Sequence, residues 1–158
     1  MDRNVAEKLP FSKVDHVGIV VRDMDKAIEY YQSLGIGPFK SLNLIVSERK
    51  IRGRTVGNVS NKIRLCHIGS IQLELLQPVE GESIQKEFLE TRGEGVDHLG
   101  FFVNDIDREV AKLVKAGFKV ITSVNFLNGG GAVYLDTGKV GGVLFELCYR
   151  QREYQGVL

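Results

Sequence analysis

The chain has 158 residues, 43% of them hydrophobic and 26% charged, with a formal net charge of +1. That is the composition of a soluble globular protein with an apolar core, and a near-neutral balance gives no electrostatic reason to expect nucleic acid or an anionic membrane as partner. No apolar run approaches the ~20 residues of a membrane span, and the polar start Met1-Asp2-Arg3-Asn4 lacks the apolar stretch of a secretory leader.

The first strong element is a strand at Val14–Val21, rich in β-branched residues and alternating with period two, so that His16, Gly18 and Val20 share one face. Asp23 caps a helix running to about Leu34, whose apolar stripe is Ala27, Ile28, Tyr31 and Leu34, and Gly35 stops it. Strands follow at Phe39–Val46, Lys62–Ile68 and Ile71–Gln77, with Ser47–Asn61 expected as a long polar excursion of the kind that often serves as a binding loop. The turn-rich stretch Pro78–Ser83 and a short helix at Ser83–Glu90 lead to a second series. This is a strand at Asp97–Val103, a helix at Ile106–Ala116, and strands near Phe118–Val124, Ala132–Asp136 and Val143–Tyr149. Cys66 and Cys148 lie in strand-like runs and form no disulfide framework or CxxC pair, so both read as buried free thiols in a reducing, cytoplasmic compartment.

The second series repeats the first. Val14-Asp15-His16-Val17-Gly18 returns as Val96-Asp97-His98-Leu99-Gly100, Asp23-Met24-Asp25-Lys26 as Asp105-Ile106-Asp107-Arg108, and Leu73-Glu74-Leu75 as Phe145-Glu146-Leu147. Each half therefore reads β-α-β-β-β, opening on a His and closing on a Glu. The whole is expected to form a single domain over residues 1–158, with one module at about 14–77, a linker and short helix at 78–95, and a second module at about 96–149.

A lone His in an apolar strand is more often a hydrogen-bonded core residue than a ligand. Two in register within a repeat reverse that expectation. Glu74 and Glu146 strengthen the case, because a carboxylate among leucines is costly to desolvate unless paired or metal-bound. His16, Glu74, His98 and Glu146 are the candidate metal ligands, and Gln72 is a possible substitute or supporting partner on the face of Glu74. Two nitrogens and two oxygens do not resemble a thiolate-rich structural zinc site. They suit one divalent Zn, Co, Ni or Mn ion with open positions for water or substrate.

Asp15-His16-Val17-Gly18, the Ile71–Pro78 strand, Asp97-His98-Leu99-Gly100 and Leu144-Phe145-Glu146-Leu147 resemble the vicinal oxygen chelate superfamily over about Val14 to Tyr149. The resemblance implies an α+β fold in which two βαβββ modules form a curved, mostly antiparallel sheet around a metal site. Gln77-Pro78, Glu82-Ser83 and the short helix before Gly95 most resemble the methylmalonyl-CoA epimerases. That implies abstraction of the proton next to a thioester carbonyl, with Glu146 as base and Glu74 as ligand and second base. Those epimerases commonly carry a further Glu in the region that here reads Gly57-Asn58-Val59-Ser60-Asn61, without an acid. Arg49, Lys50, Arg52, Arg54, Lys62 and Arg64 form a basic cluster. It is suited to solvating a loop and strand edge, and alternatively to the phosphates of a CoA substrate, with Arg52 and Arg54 as candidate contacts. Alternatives in the same superfamily are a glyoxalase I-type enzyme on a hemithioacetal, an extradiol-type dioxygenase, and a non-catalytic small-molecule binder. A homodimer is expected by analogy.

Overall fold

The computed structural model describes residues 8–127 and 129–149; the Met1–Asn4 start and the tail beyond Tyr149 lie outside them. Module one holds β1 (His16–Val20), α1 (Met24–Ser33), β2 (Lys40–Ser41), β3 (Val46–Ile51), β4 (Arg54–Val56), β5 (Ser60–Ile68) and β6 (Ile71–Glu80). After α2 (Ile84–Arg92), module two holds β7 (Gly95–Phe102), α3 (Ile106–Lys115), β8 (Val120–Phe126), β9 (Gly131–Leu135) and β10 (Leu144–Tyr149). Among the described residues no helix is long and apolar enough to cross a membrane.

The repeat is visible in the caps. Asp23 accepts from the backbone N–H groups of Asp25 and Lys26 at 3.1 Å, and Asp105 accepts from that of Arg108 at 3.0 Å. Each cap satisfies donors that the first helical turn leaves open. Both helices cover the outer face of their own half-sheet. Met24 of α1 packs with Val21, Cys66, Leu73 and Leu75, and Leu113 of α3 packs with Phe101, Leu135 and Leu147. Alternation then turns Gln72, Glu74 and Leu76 on β6, and Glu146 and Cys148 on β10, to the inner face. Both cysteines are buried free thiols.

The strands form one sheet in the order β2-β5-β6-β1-β7-β10-β9-β8-β3-β4. Pairing is antiparallel except for β1 with β6 and β7 with β10. Each module contributes the same run of four strands, and the two runs meet at the antiparallel β1/β7 seam. Chain connectivity forces the sheet to curl. Ser41 ends β2 at one edge and Val46 begins β3 near the other, with only Leu42–Ile45 between them. That link reaches at most about 18 Å, whereas a flat sheet would separate β2 from β3 by about 38 Å. The two ends therefore face each other, and Leu42–Ile45 straps the open side. It is tied at both ends: the Leu42 N–H donates to the Ile63 carbonyl at 3.2 Å, and the Ile45 carbonyl accepts from the Leu127 N–H at 2.7 Å.

Two expectations change here. The strand expected over Phe39–Val46 is reduced to the two residues of β2, because the chain leaves the sheet to cross the opening. The polar excursion at Ser47–Asn61 is largely a hairpin, β3–β4, turning through Arg52 (φ 49°) and Gly53 (φ 78°), the left-handed pair that suits a two-residue strand connection. β3 pairs with β8 of the other module, so half one completes the edge of half two.

At the β1/β7 seam His16 stands opposite Gly100 and His98 opposite Gly18. Each imidazole lies across the other module's glycine, and a Cβ built on either glycine would collide with that ring. We predict that Gly100→Ala lowers stability by about 1–3 kcal/mol through overpacking, measured by urea denaturation. Gly57→Ala, on open surface, should stay within about 0.5 kcal/mol.

Candidate metal centre

Register lines the donors up on the inner face. One row across the sheet runs Tyr134, Glu146, Gly100, His16, Gln72, and the next runs Leu144, His98, Gly18, Glu74, Leu65. Each glycine opens a gap in its row, and the imidazole opposite it in the same row fills it. The ring planes stand at 81° with centroids 5.2 Å apart, and the two Nε2 atoms approach to 3.2 Å. Glu146 Oε2 lies 2.6 Å from His16 Nε2 and 3.2 Å from His98 Nε2, and Glu74 Oε1 lies 3.6 Å from His98 Nε2. Each carboxylate thus meets the imidazole of the opposite module. Donor atoms of His16, Glu74 and His98 all fall within 4.8 Å of one another. All four side chains are buried, the histidines completely.

The two imidazoles are held differently. His98 Nδ1 is 2.7 Å from Asp97 Oδ1, and Gln85 Nε2 approaches the other Asp97 oxygen at 3.5 Å. The matching residue in module one, Asp15, turns instead to the Phe102 backbone N–H at 2.7 Å and to Lys13 at 3.2 Å, and His16 Nδ1 has no hydrogen-bond partner among the described residues. Burial pushes His98 toward the neutral form, but the Asp97 and Glu146 carboxylates outweigh it and raise its pKa well above the ordinary value. Burial likewise opposes ionisation of Glu146, and the neighbouring His16 and His98 overcome it, leaving its pKa below the usual carboxylate range. Tyr134, edge-on to His98 at 5.2 Å, has its phenol pushed well up by burial and then by Glu146 and Glu74.

The donor set fits a divalent cation. Two carboxylates and the Asp97 carboxylate are buried against two imidazoles, a concentration of negative charge that is costly without a compensating cation. The Asp97–His98 contact is the kind of outer contact that fixes a ligand's ring and tautomer. Gln72 shares a register position with His16, and its Oε1 is buried without a hydrogen-bond partner among the described residues.

A cavity of about 280 Å³ opens on Glu74 and Glu146, walled by the Leu42–Ile45 strap, by Val59, Ser60 and Asn61, and by Tyr134 and Gln85. Arg52 and Arg54 do not line it. Arg52 donates to both Glu87 oxygens at 3.0 and 2.9 Å, and Arg54 donates to Glu82 at 2.5 Å, so both clasp the β3–β4 hairpin to α2 and the segment before it. Sequence reasoning assigned no role to Asp97, although it stood in the repeated Asp-His pair. It passed over Tyr134 and left Arg49 undistinguished within the basic cluster, because the positions of both depend on cross-strand register.

A duplicated half-sheet curled around one His-and-carboxylate cluster defines a two-module fold with a candidate cation site at the seam. Residues 15–134 match the model of the glyoxalase/bleomycin resistance protein/dioxygenase superfamily, and the chain belongs to that superfamily. It is 26% identical over 139 residues to the uncharacterized protein YqjC of Bacillus subtilis (strain 168), covering 87% of this chain and 91% of that one. Among solved structures it is similar to the hypothetical protein BH1468 from Bacillus halodurans C-125, with a TM-score of 0.64, 27% identity, and coverage of 88% of this chain and 94% of that one. It is also similar to methylmalonyl-CoA epimerase from Mycobacterium tuberculosis, with a TM-score of 0.63, 25% identity, and coverage of 94% of each chain.

Replacing Asp97 by Asn keeps the size and removes the charge behind His98. We predict that Asp97→Asn weakens binding of Zn²⁺ by about 10–100-fold, read by competition with a chromophoric chelator, with an unchanged fold by circular dichroism.

Proposed function

We propose that this protein is a metal-dependent isomerase that removes and returns the proton next to a thioester carbonyl, acting on methylmalonyl-CoA or a related acyl-CoA. The observation that carries the reading is that Glu74 and Glu146, buried on strands either side of the seam, face one cavity. Inverting a carbon centre needs proton transfer at both of its faces, and paired carboxylates from the two modules offer one group for each. The similarity to methylmalonyl-CoA epimerase supports the same reading.

His16, Glu74, His98 and Glu146 would hold the cation. When bound, a divalent ion such as Zn, Co, Ni or Mn supplies charge stabilisation for oxygens beside the reacting carbon, worth several kcal/mol. The remaining work belongs to the chain. Glu146, kept ionised by the two imidazoles, is the base, and a positioned base contributes roughly 10²–10⁴-fold. The cavity wall at Val59–Asn61 carries no acid, so Glu74 is the second group, across from Glu146. Asp97 orients His98, and the Leu42–Ile45 strap limits access of water to the reacting carbon. A glyoxalase-type reaction on a hemithioacetal would use the same carboxylates and is the second reading, favoured by that acid-free wall.

The test is deuterium incorporation at C2 of methylmalonyl-CoA in D₂O, followed by NMR. Metal-reconstituted protein should exchange the proton, and stripped protein should not. Glu146→Gln should slow exchange at least about 10²-fold, with metal content measured alongside. Absence of exchange from protein shown to hold metal overturns the substrate assignment.

A further inference from the structure

The β3–β4 hairpin carries four basic residues, and their surroundings separate one from the rest. Arg52 is paired with Glu87, Arg54 with Glu82, and Lys50 with Glu48 at 3.7 Å. Arg49 forms no ion pair among the described residues, and its Nε is buried without a hydrogen-bond partner. Strand alternation turns it inward: Arg49 is in register with Val124, which is in register with Ala132, both buried. It lines the cavity that Glu74 and Glu146 also line, and it is the single cationic side chain among the described residues that do so. Burial pulls the Arg49 pKa below the ordinary arginine value, opposed by the Tyr134 phenol, as befits a cation with apolar neighbours.

A guanidinium turned into a cavity with an open donor is incomplete, because its five N–H groups in a planar fork match a carboxylate. Solvating a strand edge does not account for it, since that role is filled by Lys50, Arg52 and Arg54. Nor does the pairing of the hairpin with α2, in which Arg49 takes no part. A substrate group with the opposite charge and the matching geometry does account for it.

We propose that Arg49 is the anion anchor of the cavity, binding a carboxylate carried on the acyl head of the substrate, and that it thereby selects 2-carboxyacyl substrates over acyl groups with a neutral substituent. The proposal rests on the acyl-substrate reading above and adds the residue that sets specificity within it. Its place on the hairpin that half one lends to half two gives that hairpin a role in recognition: Arg52 and Arg54 hold it down, and Arg49 reaches in.

The probes are monoethyl malonate, which has one carboxylate beside an ester carbonyl, and diethyl malonate, its neutral counterpart. Binding of each to metal-reconstituted protein is measured by saturation-transfer NMR for the wild type, Arg49→Gln and Arg49→Lys. The wild type should prefer the monoester. Arg49→Gln should weaken monoester binding by about 10–100-fold and leave the diester unchanged, and Arg49→Lys should recover part of the loss. Equal monoester affinity in the wild type and Arg49→Gln overturns the proposal. So does parallel weakening of both esters, which marks a structural role, or failure of the wild type to bind the monoester. If Arg49→Gln fails to fold, the same comparison is made with Arg49→Lys. A protein that shows the Arg49-dependent preference yet exchanges no proton on methylmalonyl-CoA supports the anchor and refutes the epimerase reading.

Discussion

The structure turns on two imidazoles that share one small space inside a β-sheet. A strand pair normally places side chains side by side across the seam, too crowded for two buried rings. Here the residue opposite each His is Gly, and each ring lies over the other module's backbone. The two Nε2 atoms consequently converge at 3.2 Å. Both modules must be present and in register for this to happen, so the site belongs to neither half. A one-residue slip of either strand at the seam would send that strand's ring to the outer face, among the residues that pack on α1 and α3.

The carboxylates follow from the same register. β6 runs parallel to β1 and β10 parallel to β7, which puts Glu74 beside Gly18 and Glu146 beside Gly100. Each acid therefore meets the ring reaching across from the other side. The duplication stops short of identity at the next layer out, where Asp97 holds His98 and Asp15 turns away to the backbone. Two nearly equivalent halves thus produce a site with one tightly oriented imidazole and one held by fewer partners.

Much of this could be read in the chain itself. The recurrence of Asp-His-x-Gly and of a Glu between apolar residues picked out His16, His98, Glu74 and Glu146, and the matching Asp caps placed both helices. Local patterns carried that information: a period of two, a cap, a repeated phrase. The hairpin was less legible because its stability comes from pairing with β8, far along the chain, and no local periodicity records a partner. Once Ser47–Asn61 is read as a loop, its arginines cannot be sorted by face. Only strand alternation separates Arg49, turned inward, from Arg52 and Arg54 at and beyond the turn. Tyr134 escaped notice for the same reason, since what places it beside Glu146 is the β9/β10 register.

The strap and hairpin also bear on how such a chain can arise and fold. A simple tandem duplication gives two self-sufficient copies, either of which could be lost or exchanged. Lending β3–β4 to the neighbouring half ends that independence: module two lacks its outer edge until module one supplies it, and Leu42–Ile45 is too short to let the lender drift away. Such nonlocal pairing raises contact order and slows folding. On the ribosome, β3 emerges well before β8 and has no strand to receive it, so the hairpin is the part of the first module that stays unfinished until nearly the whole chain has been made.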